Sequence, residues 1–121
     1  MSDSRVDLKR LIILIKENKE FNANLILDEG CVFQTADQKP LVKVINYLIN
    51  YLNQLSDSPL EISLDLRSND YLISFMGYTD KSELPEVSTE LAGALKTYKG
   101  TLEKIHQSGK YVQFKVSFAR N

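Results

Sequence analysis

Tyr47 and Tyr51 stand four residues apart in the run Val44-Ile45-Asn46-Tyr47-Leu48-Ile49-Asn50-Tyr51-Leu52, a spacing that puts both phenols on one face of a helix. A neutral phenol is a poor ligand for a hard cation, so two rings on one face fill space or offer a contact surface. Asn46 and Asn50 repeat the spacing with better ligands. Turning them onto the working face, however, would misplace Val44, Ile45, Leu48, Ile49 and Leu52, the set that packs the helix, and the asparagines therefore read as solvent-facing. The single histidine, His106, has no Ser, Cys or carboxylate placed beside it by sequence, so a half-exposed strand residue is its plainer role. Cys31, next to Val32 and Phe33, reads as a small buried hydrophobe. Glu17, Glu20, Asp28 and Glu29 form no pair spaced for acid–base work. No catalytic constellation emerges.

These residues must be positioned by a mixed set of elements. Val6, Leu8, Leu11, Ile12 and Ile15 share one side of a helix expected from Arg5 to Lys19 with Ser4 as its cap. Asn24–Leu27 and Cys31–Phe33 read as short strands around the turn cluster Asp28-Glu29-Gly30. A second helix is expected from Lys39 to Leu55, with Asp37 as cap and Pro40 in its first turn. Alternating Leu60, Ile62, Leu64 and Leu66, then the polar turn Arg67-Ser68-Asn69-Asp70 and Leu72–Phe75, predict a hairpin. A third helix is expected from Val87 to Tyr98, ended by Gly100. Strands Leu102–His106 and Tyr111–Phe118, joined by Gln107-Ser108-Gly109-Lys110, close the chain. The fold class is α+β, a two-layer α/β sandwich with three helices on one face of a mixed, mostly antiparallel sheet.

The 121 residues, without linker or repeat, make a single domain, 1–121. Fifteen Lys and Arg against 16 Asp and Glu supply no field for phosphate backbones or anionic lipid, so neither nucleic acid nor membrane is expected as a partner. The longest apolar stretch, Leu11–Ile15, is far short of the roughly 20 residues of a membrane span, and Met1–Arg5 has no signal-type core, so a cytoplasmic location is expected. One cysteine and one histidine exclude structural zinc, and no metal is expected.

The order helix, strand, helix, hairpin, helix, hairpin resembles the ATP-binding domain of the histidine-kinase-type ATPases. Asp37-Gln38-Lys39-Pro40-Leu41 before Val44-Ile45 is similar to the approach to that family's first motif. Gly100-Thr101-Leu102 and Ser108–Phe114 are similar to its terminal hairpin. The resemblance implies that Tyr47 and Tyr51 stand where the family carries a polar residue and a Mg²⁺-binding Asn. It also implies that Gly77, in Ile73–Thr79, stands where a carboxylate reads adenine, and that Pro85-Glu86-Val87-Ser88 replaces a glycine-rich, phosphate-binding turn. Asp80 is more simply part of a polar turn. Only seven residues separate Gly77 from Pro85, so the family's mobile cover over the nucleotide is nearly absent, as is a phosphoacceptor histidine hairpin.

Together these features predict an ATPase-type fold without nucleotide, cofactor or enzymatic activity, acting as a signalling, regulatory or adaptor module whose partner is a signalling protein. Two further readings stand beside it: a small-molecule receptor using the remodelled pocket, and an active ATP-binding kinase domain. Tyr47, Tyr51, Met76, Gly77 and Tyr78 are the candidate pseudo-pocket or interface residues, with core filling equally open for the first two. A homodimer through helix one, using Val6, Leu8 or Ile13, is also expected.

Overall fold

The computed structural model describes residues 4–120. They run as β1 (Ser4–Asp7), α1 (Leu8–Lys19), β2 (Ala23–Leu27), β3 (Val32–Thr35), α2 (Lys39–Leu55), β4 (Leu60–Leu66), β5 (Asp70–Tyr78), α3 (Glu90–Lys96), β6 (Gly100–Gln107) and β7 (Tyr111–Ala119). The long strands follow from period-two patterning: in β5 Tyr71, Ile73, Phe75 and Gly77 are buried, and in β7 Val112, Phe114, Val116 and Phe118 are. Their register sets Ile73 against Val116 and Phe75 against Phe114, which builds one continuous apolar face. The main sheet has the order β2-β4-β5-β7-β6, with β2 parallel to β4 and every other pair antiparallel. Three helices and this mixed five-stranded sheet form the expected α+β sandwich.

α2 supplies most of the helical side of the core, burying Leu41, Val44, Ile45, Leu48, Ile49, Leu52 and Leu55. Its first turn is completed from far away. The Tyr98 hydroxyl accepts the Leu41 N–H at 3.1 Å and donates to the Asp37 carbonyl at 2.7 Å. The N-cap position falls on Gln38, whose side chain makes no capping bond, while the Asp37 carboxylate accepts the Lys39 N–H at 2.9 Å from one residue earlier.

Several further expectations change. Helix one starts at Leu8, because Ser4–Asp7 pairs antiparallel with β3 in a separate two-stranded sheet, Val6 opposite Phe33, and Asp7 takes the capping position foreseen for Ser4. β3 accordingly pairs with β1 and makes no hairpin with β2. Val6 and Leu8 are 1% and 0% exposed, so they build the core and supply no dimer surface; Ile13 is half-buried, and Leu14 is the exposed large apolar residue of α1. α3 spans Glu90–Lys96, shorter at both ends than Val87–Tyr98. The left-handed residue after it is Lys99 (φ 56°), and Gly100 opens β6, where a Cβ would stand 3.0 Å from the Leu95 carbonyl oxygen and 3.3 Å from Phe118.

Candidate functional site

The side of α2 that carries Tyr47 and Tyr51 faces the irregular segment 80–89 between β5 and α3. The Tyr51 hydroxyl donates to the Pro85 carbonyl at 2.6 Å, and the Tyr47 oxygen accepts the Ser88 N–H at 2.9 Å. The two rings lie 6.4 Å apart in a stacked arrangement, and Tyr51 meets Phe114 of β7 edge-on at 5.3 Å. Tyr51 is 6% exposed, Tyr47 half-buried. From β6, the Lys104 ammonium stands 5.8 Å over the Tyr51 ring, a cation–π distance. Burial first, and the neighbouring Tyr47 second, push the Tyr51 phenol above its ordinary pKa, so at neutral pH it is a donor.

The 80–89 segment is fixed at further points. Leu84 and Val87 pack on the core. His106 of β6 holds Nε2 at 3.3 Å from the Lys81 carbonyl oxygen. Just before the segment, the Thr79 N–H donates to the Lys110 carbonyl at 3.0 Å. Bonds of this kind stand where the resemblance implies phosphate contacts: the Ser88 N–H already has a phenol oxygen as its acceptor.

Gly77 faces the same layer but lies against the end of α2. A Cβ there would meet Leu60 Cδ2 at 3.2 Å, Ser56 Cβ at 3.4 Å and Leu52 Cβ at 3.5 Å, so any side chain at this position is built directly against core atoms and presses first on Leu60. Met76 and Tyr78 have the opposite parity in β5 and project from the open face of the sheet, away from the two tyrosines. Met76 lines a small cleft of about 170 Å³ with Ile26, Ser74 and Gln113. Tyr78 borders another, of about 310 Å³, with Leu55, Asp57 and Lys110. The five candidates therefore separate: Tyr47 and Tyr51 act together, Gly77 serves packing nearby, and Met76 and Tyr78 belong to other surfaces. Strand alternation carried the signal for that separation. Pro85, Ser88, Phe114 and Lys104 complete the tyrosine cluster without having been singled out, since nothing local in sequence ties them to α2.

The Asn46 side chain donates to the Val42 carbonyl at 3.1 Å within its own helix, and Asn50 is exposed. Cys31 is fully buried, its carbonyl accepts the Leu8 N–H at 3.0 Å, and burial, with a smaller contribution from Asp28, pushes its thiol up to about 11. Among the described residues no three His, Cys, Asp or Glu side chains gather closely enough to hold a metal ion, and no helix is long and apolar enough to cross a membrane.

No protein-family model matches the chain, and no curated protein matches it. Solved structures do. The Acinetobacter baumannii histidine kinase AdeS superposes with a TM-score of 0.74 at 17% identity, over 100% of this chain and 68% of that one. The nucleotide-free catalytic domain of the histidine kinase ThkA gives 0.72 at 13% identity, over 98% and 97%. The histidine kinase domain of the E. coli osmosensor EnvZ gives 0.74 at 10%, over 100% and 91%. Identities this low speak to architecture alone, and by that architecture the chain has the histidine-kinase-like ATPase fold.

Proposed function

We propose that the protein is a non-catalytic signalling or regulatory module, a histidine-kinase-like ATPase fold in which tyrosines occupy the nucleotide site and whose partner is another signalling protein. The observation that carries this reading is the pair of bonds from Tyr47 and Tyr51 to the backbone at Ser88 and Pro85. Phosphate recognition at such a turn needs free N–H groups, and the bonded phenol satisfies the Ser88 donor internally. Among the described residues, the partners of the two rings are two backbone groups, each other, Phe114 and the Lys104 ammonium, none of which is a base that could activate a water, and no three His, Cys, Asp or Glu side chains gather to hold Mg²⁺. The neighbours of like fold are kinases, which supports a signalling setting. A receptor at this place would need an open cleft, and Tyr51 at 6% exposure fills it.

Isothermal titration calorimetry with ATP and ADP, with and without Mg²⁺, tests the proposal. No heat of binding up to millimolar nucleotide is expected. Micromolar, Mg²⁺-dependent binding would overturn it and place the metal on Asn46 or Asn50.

A further inference from the structure

The two edges of the five-stranded sheet are built differently. β6 carries Glu103 and Lys104 at its middle, and the Lys81 backbone lies against its His106. β2 reads Ala-Asn-Leu-Ile-Leu, with no charge, proline or glycine, so it lacks the devices that ordinarily keep an edge strand from pairing. Ile26, on the open face of β2, is 74% exposed.

Hydrogen bonds to β4 fix which backbone groups of β2 face outward. The Leu60 N–H donates to the Asn22 carbonyl at 3.0 Å, and at the other end the Asp28 N–H donates to the Leu64 carbonyl at 2.9 Å. Groups alternate along a strand, so Asn24 and Ile26 face β4 between these two points, and Ala23, Leu25 and Leu27 turn their N–H and C=O groups to the free side. No hydrogen bond from another described residue meets them there.

We infer that β2 is a homodimerisation strand: it pairs antiparallel with β2 of a second copy about a two-fold axis through Leu25, joining two sheets into one. In that register Leu25 faces Leu25 of the second copy and Ala23 faces its Leu27, so every outward N–H finds an outward C=O. A slip of one residue turns the wrong backbone groups and the wrong side chains to the junction, and a slip of two leaves the end residue of each strand unmatched. Leu25 lies at the centre of the outward set Ala23, Leu25 and Leu27, so the strand meets its own copy with no outward group left over. The absence of charge in β2 removes the like-charge repulsion that a symmetric pairing would otherwise meet. On the open face Ile26 comes opposite Asn24 of the second copy, in the closer, non-hydrogen-bonded kind of pair, and loses its exposure. A five-residue ribbon buries less than a standard interface, so the dimer forms in the upper part of a concentration series.

Sedimentation velocity of the full chain from micromolar to millimolar concentration is expected to show a concentration-dependent dimer. Ile26→Lys, at an exposed position that leaves the thermal midpoint unchanged, is expected to abolish it by placing two ammonium groups beside the axis. Register is tested by oxidising a mixture of Asn24→Cys and Ile26→Cys chains: a covalent heterodimer is expected, with neither chain linking to itself. A monomer at every concentration overturns the inference, whatever other strand the edge accepts. A dimer that survives Ile26→Lys, or links 24 to 24 or 26 to 26, overturns it equally.

Discussion

At Tyr51 one side chain is in contact with three elements: its ring packs on Phe114, its hydroxyl holds Pro85, and its backbone belongs to α2. Tyr51→Phe removes only the hydrogen bond and is expected to cost about 1 kcal/mol in urea denaturation. Tyr51→Ala also leaves a cavity and is expected to cost about 3–5 kcal/mol. If both variants cost the same, the ring would not be packed as described. Gly77→Asp, which restores the carboxylate that the resemblance implies, is expected to destabilise by at least about 2 kcal/mol and to give no nucleotide binding, because Leu60, Leu52 and Ser56 already stand around that position. The shared face of Tyr47 and Tyr51 was legible in their spacing. Their bonds to Pro85 and Ser88 were not, since those partners lie 34 and 41 residues on and present backbone atoms with no side-chain signature.

Among the elements, α2 depends on the turn between α3 and β6 through Tyr98, whose hydroxyl satisfies the buried Leu41 N–H. Tyr98→Phe leaves that donor unpaired and is expected to speed amide exchange at Leu41 and cost about 1–3 kcal/mol, while amides in the middle of α2 keep their protection. Uniform loss of protection along the helix would contradict this capping role. Strand and helix order was readable because period-two and 3.6-residue patterns are strong in β4, β5, β7 and α2. Ser4–Asp7 was not: it reads as the first turn of a helix because Val6 and Leu8 extend the apolar stripe, and only pairing with β3 makes it a strand. The end of α3 misled for a similar reason. Gly100 looks like a helix stop, yet its missing Cβ answers the close approach of Leu95 and Phe118, and Lys99 takes the left-handed turn.

For the molecule as a whole, the buried phenols set a limit on alkaline stability. Burial is the main cause that raises Tyr51 and Tyr98; Tyr47 adds to the first, while at Tyr98 the Leu41 N–H partly offsets the rise. Below the unfolded phenol's pKa of about 10, both states keep these protons and stability does not change on their account. As pH rises past that point the unfolded chain deprotonates first, so stability falls until the folded phenols titrate too. Denaturation midpoints of the wild type are therefore expected to drop between about pH 9 and 11, and those of a Tyr51→Phe, Tyr98→Phe double variant to drop less. Equal slopes would remove the phenols as the cause. The chain has no tryptophan and six tyrosines, and four of these, Tyr47, Tyr51, Tyr71 and Tyr98, engage their hydroxyls with backbone atoms of other elements. Its ultraviolet emission is therefore tyrosine emission, and two of the six rings, Tyr47 and Tyr51, are the ones that fasten the 80–89 segment to α2, so a change in that emission, without any attached dye, is expected when the segment lifts.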